Sequence, residues 1–424
     1  MREPIGRGAG RRILIAGEGG SVLVAAASSD AVALACEGLA GPAKTPSGRP
    51  VYPADRVPAD LGVDRVRLLP CEPATAAAIE AWAEARGVPL IREAVPVLAP
   101  PDGIRVVAVS SATTGSGKTA LSRRVARSLL RSSVRVACAR HPIAGLLLWD
   151  RFEASVISRP DALSTPRPLE EREELAPLVG AGVSVASGLD PEGVLRAAAN
   201  QAGDGGVVVW DGGGAAAPWI EPDLHLVAVD LLRPPPDGAD EHIKAADVVV
   251  LTKADSAPAN RTHSTEEWVR ETNPEARVVL ADLAVGVSAG NELTDKRVVI
   301  VEDAPSLVLG GLVAGAGAVA ARRFRCGVVD PRPFAVGAIA ETLEQHKHIG
   351  AVIPSLGRTP PEIEDFAASV VATPGDAVLW ASNADPTTIL VGETRPVVRA
   401  YGELTEVAGP GLQEVLAPLL PGHQ

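Results

Sequence analysis

Positive charge is in deficit in this chain: 40 Lys and Arg stand against 52 Asp and Glu, a formal net charge of −12 over 424 residues. Counterion release needs clustered basic residues, so nucleic acid and anionic membrane surfaces are excluded as expected partners. Any phosphate chemistry has to use locally placed cations. Aromatic residues are also few, at 3%, but 46% of the residues are apolar and a sizeable core can form. The shortage reflects an Ala-, Gly-, Val- and Pro-rich composition rather than disorder. The four cysteines, Cys36, Cys71, Cys138 and Cys326, have no Cys-x-x-Cys spacing and no histidine-rich surroundings, so they read as small buried apolar residues in a reducing compartment. No apolar run is long enough to span a bilayer. Arg11 and Arg12 precede only a short Ile-Leu-Ile stretch, where a signal peptide would carry a continuous apolar core. A cytoplasmic protein is expected.

What is present is more specific. Val106 to Ser111 is an apolar strand that enters Ala112-Thr113-Thr114-Gly115-Ser116-Gly117-Lys118-Thr119, and a helical pattern with Leu121, Val125 and Leu129 follows at once. This is a phosphate-binding loop. Its backbone N–H groups, from Thr113 to Thr119, cradle the phosphates of ATP or GTP, Lys118 reaches the β/γ-oxygens, and the Thr119 hydroxyl suits Mg²⁺. The motif's opening glycine is here Ala112, which is tolerated if that residue keeps a negative φ.

The length suits about two or three domains. Residues 1–98 are expected to form a small N-terminal Rossmann-like α/β domain, with a strand at Arg12 to Ala16, another at Val66 to Leu69 and a helix at Ala74 to Ala85. The Pro-rich segment Val95 to Gly103 reads as a linker. Residues 99–290 are expected to hold the nucleotide-binding domain, with strands at Val134 to Ala139, Val207 to Trp210, Leu224 to Val229, Val248 to Leu251 and Val278 to Ala281. Continuous apolar strands of this kind indicate a mostly parallel, doubly wound sheet. Residues 291–424, with strands at Val298 to Val301, Ala377 to Ala381 and Pro396 to Tyr401, are expected to be α/β as well and to complete the substrate site.

Several polar groups follow these strands, at the edge where α/β proteins bind ligands. Asp211 closes Val207-Val208-Val209-Trp210 and reads as a Mg²⁺ partner of Thr119, or as a cap for the next turn. Thr252-Lys253-Ala254-Asp255 matches the motif with which P-loop GTPases read guanine, or is a polar turn. Arg140-His141 would bind an anionic second substrate or the γ-phosphate, unless Arg140 pairs with an acid of Glu170-Glu171-Arg172-Glu173-Glu174. Arg332, in Asp330-Pro331-Arg332-Pro333, is a further anion-binding candidate. Glu302-Asp303 reads as solvated or capping, and His225 as a core residue. No metal-ligand spacing of His or Cys and no nucleophile elbow is seen.

Taken in order, Thr114-Gly115-Ser116-Gly117-Lys118-Thr119, Ala139-Arg140-His141-Pro142, Glu170 to Glu174, Trp210-Asp211-Gly212-Gly213, Glu221-Pro222-Asp223-Leu224-His225, Thr252-Lys253-Ala254-Asp255, Val301-Glu302-Asp303, Asp330-Pro331-Arg332-Pro333 and His348-Ile349-Gly350 resemble the cyclic 2,3-diphosphoglycerate synthetase family of P-loop proteins. The resemblance implies an ATP- and Mg-dependent cyclo-ligase that activates one phosphate of 2,3-diphosphoglycerate for intramolecular anhydride formation. Lys118 and Asp211 would serve the nucleotide; Arg140, His141 and Arg332 would hold a small anionic phosphorylated substrate. The segments Gly214 to Ala217, Pro235 to Gly238 and Gly310 to Gly317 depart from the family pattern and point to a changed substrate wall. The alternative is a regulatory or metallochaperone-like GTPase switch, which the Thr252 to Asp255 motif favours. Two-fold symmetry makes a homodimer the expected assembly.

Overall fold

The computed structural model describes residues 12–17, 31–36, 43–44, 49–69, 71, 73–93, 97–140, 154–163, 167–188, 190–212, 217–236, 238–308 and 310–420. The first of its two sheets has six strands: β1 (Ile13–Gly17), β2 (Ala31–Cys36), β3 (Ala43–Lys44), β4 (Pro50–Pro53), β5 (Arg65–Leu68) and β6 (Leu90–Arg92). Their order is β3-β4-β2-β1-β5-β6, and all neighbours are parallel except β3 with β4. Alternation sets which side chains meet the covering helix. Leu14, Ala16, Val66 and Leu68 pack with Ile79 and Trp82 of the helix Pro73–Glu84.

The second sheet contains β7 (Arg105–Ser111), β8 (Val136–Arg140), β9 (Ser155–Ile157), β10 (Ser184–Ser187), β11 (Val207–Asp211), β12 (Leu224–Asp230), β13 (Val248–Thr252), β14 (Arg277–Val287), β15 (Arg297–Asp303), β16 (Gly327–Val328), β17 (Ile353–Ser355), β18 (Ala377–Ala381) and β19 (Val397–Ala408). The order is β16-β15-β18-β19-β14-β13-β12-β7-β11-β8-β10-β9, with β17 also on β15. Both faces of the central strands are covered, which explains their unbroken apolar runs. Val107 and Val109 of β7 face the helix Lys118–Arg131, and Val106 and Ala108 face the helix Pro191–Ala202. The fold is an α/β P-loop fold with a mostly parallel, doubly wound sheet.

Two strands run longer than the sequence suggests. β14 continues past Ala281 to Val287 and pairs antiparallel with β19, from Leu280 against Ala408 to Val287 against Ala400. Beyond Ala281 it carries Asp282, Ala284 and Gly286 and is only part-buried, so the continuous apolar pattern stops where the strand does not. The register has a large consequence. β14 pairs with β13 only through Arg277 to Leu280, and β19 pairs with β18 only through Val397 to Arg399. The remaining ribbon, about 20 Å long at roughly 3.3 Å per residue, projects beyond the carboxyl end of each neighbouring strand group. Because β19 runs against β14, the carboxyl edge of β7–β13 and the carboxyl edge of β15, β17 and β18 face each other across it. Within the described part of the Pro-rich segment, Leu98 bridges in parallel to Ile220, and its N–H donates to Trp219 O at 2.6 Å.

Candidate active site

The loop after β7 is shaped from outside. The Thr252 hydroxyl lies 2.8 Å from Ser116 O, Lys253 Nζ donates to Gly115 O at 3.0 Å, and Arg233 Nη2 donates to Thr114 O at 2.6 Å. Three successive loop carbonyls are thus held from outside, and the Ser116 N–H closes a turn on Thr113 O at 3.4 Å. Gly115 (φ 84°) and Gly117 (φ 87°) take left-handed conformations, and Gly117 starts the helix Lys118–Arg131, whose first N–H groups have no partner within the helix. Ser116 Oγ donates to Thr113 O at 2.7 Å and lies 2.8 Å from Thr113 Oγ1. Ala112 is not among the residues with positive φ, and its buried methyl packs with Val227 and Val229. The alanine in place of glycine therefore costs the loop nothing.

Beneath the loop lies a buried chain of charges. Register places Asp211 of β11 opposite Val109 of β7 on one side and Arg140 of β8 on the other. Its carboxylate is fully buried and takes Lys118 Nζ at 3.1 Å, Ser122 Oγ at 2.8 Å and Arg140 Nη1. Arg140 then meets Glu174 Oε2 at 2.5 Å. Burial by itself would raise the Asp211 pKa, but Arg140 and Lys118 outweigh it and hold the group below its ordinary value. Arg140 is likewise kept charged: burial opposes the charge, and Asp211 and Glu174 more than restore it. Thr119 is half-buried at the head of the same helix. Of the two alternatives for Arg140, the structure shows the pairing with an acid of the Glu170 to Glu174 run, at the carboxyl edge of β8. His141 lies outside the described residues, as do Gly213 and Gly214.

The other sequence-derived positions fall as follows. Lys253 sits in a left-handed turn (φ 65°), with its ammonium on the loop and on Asp230 Oδ2 at 2.7 Å, while Asp255 is exposed and bonds only locally, to Ser256. A shallow depression of about 370 Å³ adjoins this segment, lined by Ala254, Ala257, Ala259, Thr262, His263, Glu266 and Leu280. Arg332 is engaged by its own neighbours. It pairs with Asp330 at 3.1 Å and donates to Ile349 O and Gly350 O, which occupies it within the C-terminal part. His225 is buried between Ser110 Oγ (2.8 Å) and Ala245 O (2.9 Å), and burial lowers its pKa.

Sequence reasoning gave no role to Asp230 and Arg233. Asp230 ends β12 and collects Leu232 N–H, Arg233 Nε and Lys253 Nζ, so it holds both cations against the loop. The available signal was an acid at a strand's carboxyl end followed three residues later by an arginine. On the facing edge, acids dominate. Glu173, from the helix Leu169–Val179, receives the Ser355 hydroxyl and faces the Asp303 carboxylate; burial first, and Asp303 second, push its pKa well up. Glu302 accepts Gly315 N–H at 2.9 Å and Ala318 N–H at 3.0 Å, which caps the helix Ala316–Arg323, and burial raises its pKa to about 7. Glu173 and Glu302 are thus buried acids that burial drives toward the neutral form.

Comparison with known proteins now adds a relation. The chain is 34% identical over 316 residues to arginine synthetase ArcE of Thermococcus kodakarensis, a match covering 73% of this chain and 70% of the relative. The chain belongs to the ArcE family. Membership in a synthetase family, together with the built phosphate loop, makes it an enzyme of the nucleoside-triphosphate-dependent ligase class. No protein-family profile matches the sequence. Cobyrinic acid a,c-diamide synthase from Mycobacterium smegmatis, solved with ADP and magnesium and with an ATP analog and magnesium, is 19% identical over 42% of this chain and 74% of its own, with a TM-score of 0.19. Among the described residues no helix is long and apolar enough to cross a membrane.

Proposed function

We propose that the protein is an ATP- and Mg²⁺-dependent ligase of the arginine-synthetase type, acting on a small amine-bearing substrate. The reading is carried by the family relation to arginine synthetase ArcE, together with Lys118, Asp211 and Arg140 packed beneath the phosphate loop. Replacing an oxygen on a ureido-type carbon by nitrogen requires that oxygen to become a leaving group. Transfer of the terminal phosphoryl group does this. The loop N–H groups and Lys118 hold the β/γ-phosphates, and Arg140 holds the Asp211 carboxylate in place beneath them. The polar groups of the other edge, Asp303 and Ser355 among them, suit a zwitterionic amine.

Mg²⁺ fits these residues as a hard ion beside the Thr119 hydroxyl, with Asp211 acting through water, since both carboxylate oxygens already hold cations. When bound it would offset charge on the phosphates. Lys118 must leave Asp211 to reach a phosphate, and Arg140 and Ser122 keep the carboxylate satisfied when it does.

A second reading keeps the substrate that the ordered motifs imply, 2,3-diphosphoglycerate, with Arg140, His141 and Arg332 as its cations. The family relation to arginine synthetase ArcE favours the amine reading. The test is a panel of ureido amino acids with ammonium, 2,3-diphosphoglycerate, and nucleotide alone, each with ATP and GTP, followed by phosphorus NMR and mass spectrometry. ADP release coupled to arginine or a related guanidino product supports the proposal. A cyclic diphosphate product transfers the assignment to the second reading, and hydrolysis that no small molecule stimulates would favour a nucleotide switch.

A further inference from the structure

We propose that Arg233 is a positioning residue for this ligase reaction, fastening the phosphate loop to the glycine segment of the opposite wall so that loop occupancy sets that wall. The inference rests on the reading that the loop binds a nucleoside triphosphate. Arg233 spends its fork of donors on both sides of the cleft. Nη2 donates to Thr114 O at 2.6 Å and to Thr113 Oγ1 at 3.1 Å on the loop, and Nη1 donates to Gly310 O at 2.7 Å on the facing segment. Nε is anchored by the buried Asp230 at 2.9 Å, which fixes the plane of the guanidinium.

The glycine segment lies directly on the loop. A Cβ on Gly310 would stand 3.0 Å from Thr114 O and 2.5 Å from Ser306 O, so the backbone approaches too closely for any side chain. A Cβ on Gly115 would meet Leu312 at 3.3 Å and Arg233 at 3.4 Å. Farther along the same segment, Gly315 N–H donates to Glu302 and Val313 O accepts from Gly350 N–H at 2.8 Å. A shift of Thr114 is therefore passed through one planar group to Gly310, and from there to the backbone that holds Glu302. A planar guanidinium can hold two backbone acceptors on separate segments at fixed angles. An ammonium is a point donor without that fixed fork.

The test uses the full chain with Arg233→Ala and Arg233→Lys. ATP affinity is measured by calorimetry, hydrogen exchange of residues 304–314 with and without ATP and Mg²⁺, and kcat and KM in the ligase assay. The wild type is expected to gain protection at 310–314 on binding ATP. Arg233→Ala should keep its melting transition, bind ATP about tenfold more weakly, lose that nucleotide-dependent protection at saturating ATP, and show lower kcat with higher KM for the second substrate. Arg233→Lys should recover part of the affinity but not the coupling. A purely structural arginine would change exchange equally with and without ATP. Unchanged ATP-dependent protection in saturated Arg233→Ala, or a wild type that binds ATP without protecting 310–314, overturns the proposal and leaves the ligase reading standing. A wild type that shows the coupling but yields no guanidino product supports the role of Arg233 and defeats the arginine-type reading alone.

Discussion

Replacing Arg140 by alanine should damage both stability and nucleotide chemistry, and the size of the first effect follows from burial. Arg140 is 2% exposed and Asp211 0% exposed, and the arginine pairs with both Asp211 and Glu174. Removing one partner of a buried ion pair costs about 3–5 kcal/mol, because the charge left behind has neither water nor a counterion. Here Asp211 keeps Lys118 and Ser122, which puts the loss at the lower end. The pH dependence should change as well. In the wild type the Asp211 pKa is depressed, so its contribution is present above the unfolded value and is lost as pH falls through the folded one. Without Arg140, desolvation gains ground, the folded pKa rises, and acid destabilisation eases while stability at neutral pH drops. Urea unfolding by circular dichroism between pH 4 and 8 measures both. The double-mutant cycle with Glu174→Ala should show a coupling of at least about 1 kcal/mol. An Arg140→Ala protein within about 1 kcal/mol of wild type at pH 7, with no coupling to Glu174, would refute the buried-charge reasoning.

Three further outcomes are expected. Glu302→Gln removes a carboxyl whose pKa rises on folding from 4.5 to about 7, a difference worth about 3 kcal/mol. Stability from the neutral form is full below 4.5 and lost as pH rises through 7, so the variant should be flatter over that window and more stable at pH 8 by calorimetry. Gly310→Ala should weaken ATP binding about tenfold or more, measured by titration, because its methyl collides with Ser306 O and Thr114 O; wild-type affinity would contradict the close packing. Asp255→Ala tests the guanine reading: a selective loss of GTP affinity supports it, and equal ATP and GTP binding before and after the change removes it.

The parts of this protein that could be read from its sequence are those whose chemistry is contiguous. The phosphate loop concentrates its donors in Thr113 to Thr119, and unbroken apolar runs such as Val248 to Leu251 announce buried parallel strands. Asp211 and Arg140 were visible as strand-end residues, but their direct pairing came from register across β8 and β11. The ribbon of β14 and β19 was missed because Asp282 and Gly286 interrupt the apolar run, and with it went the fact that two carboxyl edges face each other. Arg332 looked equivalent to Arg140 in sequence, yet Asp330 and two carbonyls hold it within the C-terminal part. Asp230 and Arg233 stand just before the segment Pro235 to Gly238 and match no contiguous motif. Their role depends on Thr114 and Gly310, which are distant in sequence from Arg233 and from each other.

The central claim is that a triphosphate held by Lys118 drives ligation of a nitrogen onto a small substrate. Its most direct test is product analysis after incubating the full chain with ATP, Mg²⁺, a ureido amino acid and isotopically labelled ammonium, beside Lys118→Ala. One labelled guanidino product per ADP in the wild type, and none in the variant, is the predicted result. ADP formation with the label left entirely in ammonium would contradict the account.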